Sequence, residues 1–212
     1  MRDSVRDLVD VIEAMGRRAL PLQMDVTRPA EIEAAVAQAE RHFGRIDVLV
    51  NNAGLGPENM AVDVNEPDFD LTVNVNLKGT FFVSQAVGRR MVARRSGAIV
   101  NIGSQAGRVA LPGEAIYCMT KAGIDHLTRC LAVEWGPFNV RVNAVAPTFI
   151  RTDGTAAVLE NPESLAQVLA KIPLGRTGEP VDVAGAVVFL AGPAARMISG
   201  ASLLIDGGWT SV

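Results

Sequence analysis

Apolar residues recur along the chain at two spacings, one helical and one extended, and the two kinds of segment alternate. Val5, Leu8, Val9, Ile12 and Met15 lie among charges at helical intervals and Gly16 follows them, which predicts an amphipathic helix over residues 2–15. Ala19–Asp25 follows as a short strand, and Pro21 suits it to a sheet edge. Thr27 and Pro29 open a helix over residues 31–43 that ends at Gly44. Ile46–Asn51 is a compact apolar run, the pattern of a strand covered on both faces of a parallel sheet.

Residues 66–94 read as helix, in one piece or two, with Leu77, Phe81, Phe82, Ala86 and Met91 as its apolar stripe. Gly97–Ser104 is a strand and turn. One helix spans residues 113–135, where Ile116, Met119, Ile124, Leu127, Leu131 and Val133 are spaced for a buried or nearly buried element. Val140–Pro147 is a strand, residues 162–171 and 182–191 are helices, and Ser202–Asp206 is a last strand before Gly207 and Gly208. Strands that alternate with helices through short turns predict an α/β protein, a parallel sheet with helices on both faces. Ligands of such sheets sit beyond the carboxyl ends of the strands. The polar punctuation collects at those ends: Asp25, Asn51, Asn52, Ser104, Pro147 and Thr148.

Composition narrows the classes. A chain of 212 residues, 49% hydrophobic and 20% charged, suits one domain with a substantial core. A net charge of -3 with scattered arginines gives no basic footprint, so nucleic acid is not an expected partner. Cys118 and Cys130 stand twelve residues apart on one predicted helix. A rise of about 18 Å keeps them from bridging within it, and they read as reduced thiols. No apolar run reaches the roughly 18 residues of a membrane span, and charges fill the start of the chain, so the cytoplasm is the expected location. His42 and His126 suit helix surfaces, and no cluster has metal-ligand spacing.

The candidate chemistry centres on Tyr117, the only tyrosine, and Lys121, one of three lysines. At i and i+4 of one helix their side chains share a face. A nearby cation favours the phenolate and lowers the phenol pKa from near 10, which would let Tyr117 exchange a proton with an alcohol or ketone near neutral pH.

From about Asp25 to the carboxyl terminus the motifs resemble those of the short-chain dehydrogenase/reductase family, in the same order. The resemblance implies a doubly wound, Rossmann-like, three-layer α/β/α fold. It implies NAD or NADP as cofactor, a small-molecule alcohol or ketone as substrate, no membrane partner, and a homo-oligomer, tetramer or dimer. Asp25 and Val26 match the pair that contacts adenine, and Asn51-Asn52-Ala53-Gly54 the segment whose second Asn lies near the adenosine ribose. Asn76 matches the active-site Asn whose carbonyl holds a water leading to the lysine. Ser104 matches the serine that bonds the substrate oxygen. Tyr117 and Lys121 match the YxxxK pair, Tyr as general acid/base and Lys both depressing its pKa and gripping the nicotinamide ribose. Pro147, Ile150 and Thr152 match the segment that binds the carboxamide. The ending Ser199–Gly208 resembles the strand that commonly joins a tetramer interface.

Two departures stand out. Thr148 replaces the family's usual Gly after Pro147, and the opening strand, its Gly-rich phosphate turn, the next helix and the second strand are not found. Gly16 is the only glycine before Gly44, so no backbone can approach a pyrophosphate closely at a helix start. Roughly forty residues of the usual βαβαβ unit are therefore expected to be missing from a single domain over 1–212. That loss would leave the strand ending at Asn51 unpaired on one side, unless the Met24 strand slides over or another chain supplies the edge.

The expected activity is nicotinamide-dependent interconversion of a secondary alcohol and a ketone, with a sugar or polyol ranked ahead of a 3-oxoacyl thioester. The alternative is a catalytically silent relative that serves as a binding or oligomer-forming subunit.

Overall fold

The structure is a computed structural model that describes residues 2–211, with side chains described from Val5 onward. Its sheet has four parallel strands in the order β1 (Val48–Asn51), β2 (Gly97–Ile102), β3 (Val140–Pro147) and β4 (Ser202–Ile205). Helices α1 (Arg2–Ala14) and α2 (Pro29–Phe43) precede the sheet. Between β1 and β2 run α3 (Glu66–Val73) and α4 (Thr80–Arg94), joined by a wider π turn over Asn74–Gly79. The crossover to β3 is α5 (Ala115–Trp135). Before β4 come α6 (Ala156–Leu159), α7 (Pro162–Leu169) and α8 (Pro180–Ala191).

Alternation along β2 divides the core. Ile99 packs with Val140, Val142, Val87, Met91 and Leu131 beneath α4 and α5, whereas Val100 packs with Val145 and Leu190 beneath α8. Strand order advances in one direction throughout, yet α8 lies on the face opposite α4 and α5. The α8 crossover therefore has the opposite hand to the other two.

Three expectations fail here. Residues 19–25 form no strand: β1 pairs only with β2, and nothing among the described residues offers these residues a ladder. Met24 instead packs onto the core beside Ile46 and Leu49. The second concerns β1, read as covered on both faces. Leu49 does pack inward, but Val48 and Val50 are 41% and 40% exposed. They point to the α8 side of the sheet, and α8 reaches across β2, β3 and β4 without covering β1. Met119 and Val133, expected within a buried stripe of α5, also face outward, Val133 at 77% exposure.

Candidate active site

A cleft of about 860 Å³ opens at the carboxyl ends of the strands. Its walls include Asn52, Gly54, Ser104, Tyr117, Lys121, Pro147, Ile150 and Thr152, so eight residues singled out by sequence meet there although 100 positions separate the first from the last. Asp25, Val26, Ala53 and Asn76 do not line it.

Asn76 lies directly behind the wall, fully buried in the π turn. Its amide donates to the Leu55 carbonyl (2.7 Å) and to Thr120 Oγ1 (3.0 Å), and its carbonyl oxygen Oδ1 accepts from the Leu55 N–H (2.9 Å). Thr120 Oγ1 in turn donates to the Tyr117 carbonyl at 2.8 Å. One side chain thus ties the loop after β1 to the first turn of α5. The extra residue of a π turn re-aims a side chain that a regular helix would send elsewhere. The Asn76 backbone carbonyl accepts from Thr80 Oγ1 at 2.6 Å.

A second buried relay lies deeper. Asn51 Nδ2 donates to Ser84 Oγ and to Asn101 Oδ1, both at 2.8 Å, and Asn101 Nδ2 donates to Thr128 Oγ1 at 2.9 Å. It clamps β1, β2, α4 and α5 together under the cleft. Sequence reading missed Ser84, Asn101, Thr120 and Thr128; polar residues inside apolar runs were the available signal.

Ser104 lies two residues beyond β2 and caps the following turn, its Oγ accepting from the Ala106 N–H at 3.1 Å. Lys121 is only 4% exposed, and its Nζ donates to the Ile102 carbonyl at 2.9 Å. That is its one hydrogen bond among the described residues. An ammonium has three donors, so two remain to face the cleft. Burial pushes the Lys121 pKa down to about 8. Its Nζ sits 5.3 Å from the centre of the Tyr117 ring.

The Tyr117 phenol departs from expectation. Burial raises its pKa, a hydrogen bond from Ser104 opposes that, and the charges of Glu114 and Cys118 add to the rise. Desolvation of the phenolate leads, so the pair shares a face as predicted while the phenol pKa stands above its ordinary value.

Asp25 has a local task. Its carboxylate accepts from the Thr27 N–H (2.9 Å) and hydroxyl (2.7 Å) in the turn that starts α2, and the Thr27 backbone bond leads in holding its pKa below the usual range. Val26 closes on Gly79, where any Cβ would come within 3.0 Å of its Cγ2.

The cleft accommodates a nicotinamide nucleotide on three grounds: its volume, the spare donors of Lys121, and the bare backbone at Gly54, where a Cβ would lie 3.4 Å from Lys121 Nζ and 3.5 Å from Asn76 Oδ1. No helix here is long and apolar enough to cross a membrane, and no group of three or more metal-type ligands occurs among the described residues.

A parallel sheet with this constellation at its carboxyl edge defines a class. A family model described as Enoyl-(Acyl carrier protein) reductase matches residues 2–210, and the chain belongs to the short-chain dehydrogenase/reductase family. By that membership it is an oxidoreductase that interconverts an alcohol and a ketone with NAD or NADP. Among individual relatives, it is 40% identical to an NAD-dependent glycerol dehydrogenase of Listeria innocua, over 99% of this chain and 82% of the relative. It is 40% identical to a 3-oxoacyl-[acyl-carrier-protein] reductase of Thermotoga maritima, over 98% and 83%. The crystal structure of a gluconate 5-dehydrogenase from Burkholderia cenocepacia, in complex with NADP and tartrate, superposes with a TM-score of 0.95 at 32% identity, covering 100% of this chain and 83% of that one.

Proposed function

We propose that the chain oxidises or reduces a sugar or polyol at one secondary carbinol, with Ser104, Tyr117 and Lys121 as its working groups and Asn76 organising them. The observation that carries this reading is the convergence of those three side chains on one cleft. NAD or NADP, when bound, supplies or accepts the hydride.

Ser104 Oγ steadies the substrate oxygen as charge develops on it. Tyr117 gives a proton to that oxygen in reduction and takes it in oxidation. Its raised pKa keeps the phenol protonated, which suits the reductive direction. Lys121 directs its spare donors to the ribose hydroxyls. Asn76 keeps the Leu55 loop and α5 in register, and its backbone carbonyl, which accepts from Thr80 Oγ1, would also hold a water that resupplies the proton. Asn52, Ala53 and Gly54 would hold the adenosine ribose, Asp25 and Val26 the adenine, and Pro147, Ile150 and Thr152 the carboxamide. Relatives named for glycerol and gluconate support a polyol substrate. The test is a panel of polyols, sugar acids and a 3-oxoacyl thioester with each cofactor. Turnover of the thioester alone would overturn the polyol reading.

The pyrophosphate grip belongs, in this reading, to a βαβ unit outside residues 1–212. The open edge of β1 and the exposed Val48, Val50, Val181 and Val188 support a further strand and helix on that side. Calorimetric titration of the 212-residue chain should then give weak binding of NAD and NADP, and micromolar affinity would count against it. The working location is the cytoplasm, and the working assembly is a homo-oligomer. The outward row Met119, Ala122, His126, Cys130 and Val133 on α5 carries no Asp, Glu, Lys or Arg, which suits it to a second copy, while exposed Leu203 on β4 offers a further contact.

A further inference from the structure

Burying a polar side-chain atom without a partner costs about 1–3 kcal/mol, and folded proteins keep few of them. Four such atoms occur among the described residues: Gln105 Nε2, Gln105 Oε1, Glu114 Oε2 and Thr148 Oγ1. All three residues line the one cleft that holds Ser104, Tyr117 and Lys121. Nothing in the family resemblance assigns them a role.

Their placement is close to the chemistry. Gln105 follows Ser104 in the turn after β2, and its side chain is 1% exposed. Thr148 follows Pro147 at the end of β3. Glu114 stands one turn before Tyr117. A Cβ built on Gly56 would meet Glu114 Oε2 at 3.2 Å and Tyr117 Cδ2 at 2.8 Å, so carboxylate and ring flank the same point. Burial, with the Glu58 charge adding to it, pushes the Glu114 pKa up to about 7, the response of a carboxyl group that lacks donors.

We propose that Gln105, Glu114 and Thr148 are specificity-determining residues that bind hydroxyl groups flanking the reacting carbinol of a polyhydroxylated substrate. The inference rests on the polyol reading and names the groups that enforce it. Oε1 and Oε2 accept, Nε2 donates, and the threonine hydroxyl does either, which is the complement of neighbouring alcohols that each donate and accept. An acyl chain in the same space would leave all four unmet, and such a mismatch discriminates strongly.

The test follows threitol binding by saturation-transfer NMR in the presence of NAD or NADP, together with oxidation of threitol and of 2-butanol, which offers no second hydroxyl. Gln105→Leu and Glu114→Leu should each weaken threitol binding about tenfold, the loss of one well-placed bond. Turnover of 2-butanol by Gln105→Leu should change less than threefold. Melting temperatures should hold or rise, because the variants remove two unpartnered atoms at Gln105 and one at Glu114. Glu114→Gln keeps the shape and guards against misfolding; it should weaken threitol about threefold. Unchanged threitol affinity in both leucine variants, or no threitol binding by the parent, overturns the proposal. If the parent binds threitol and the variants do not, while neither alcohol is turned over with either cofactor, the recognition set stands and the redox reading falls.

Discussion

Tyr117 and Lys121 meet as their spacing requires, but burial rather than mutual charge governs their proton affinities. Tyr117→Phe should reduce turnover at least a thousandfold with the melting temperature nearly unchanged, since the hydroxyl and not the ring carries the proton; activity within threefold of the parent would refute the role. Ketone reduction needs both a protonated phenol and a charged ammonium. Its kcat/KM should therefore fall as pH rises through about 8, where Lys121 loses its proton, and a flat profile from pH 7 to 9.5 would contradict this. Glu114, its pKa shifted in the opposite direction from that of Lys121, offers a stability measurement. Its folded pKa of about 7 exceeds the ordinary 4.5, so between those values the folded chain holds a proton that the unfolded chain has lost. Its contribution is fully present below pH 4.5 and is lost as pH rises through 7. Glu114→Gln should raise the urea midpoint near pH 8 and leave it unchanged near pH 4.

The element that positions the chemistry is the π turn between α3 and α4. A periodicity reading placed helix across 66–94 without deciding whether it was one piece, and the structure answers with a continuous path widened at Asn74–Gly79. Asn76→Ala would orphan the N–H and carbonyl of Leu55 and one bond of Thr120. At roughly 1–3 kcal/mol for a lost buried partner, a drop in stability of about 2–4 kcal/mol is expected. Activity should fall further than stability, because the loop bearing Gly54 would no longer be tied to α5. Equal activity in the folded variant would show that the tie is dispensable. Helices α2, α5 and α8 and strands β2 and β3 lie within two residues of their expected bounds, because long apolar periods and Gly or Pro stops mark them. The 19–25 strand failed because a strand is a pairing, and no local pattern contains its partner.

At the scale of the molecule, apolar side chains stay exposed on several surfaces, and two of these bear on assembly. One is the open side of β1 with the outer face of α8, and the other is the outward row of α5. If a second copy covers the latter, Val133→Glu should shift the mass seen by light scattering from oligomer to monomer. The change sits on a side chain 77% exposed, so it should alter the melting temperature of the monomer little. An unchanged mass would place the contact elsewhere.

Periodicity, punctuation and one i, i+4 pair by themselves determined the alternating α/β order, the parallel sheet and, Asp25 excepted, the polar residues at its carboxyl edge, since these depend on neighbours within a turn or a strand. Only the tertiary structure decided which strands found partners, which face of β1 stayed open, and that Gln105, Glu114 and Thr148 share a cleft with Tyr117. Those outcomes depend on atoms brought together across tens of residues. The balance between burial and charge that sets each proton affinity exists only once that surrounding volume is filled.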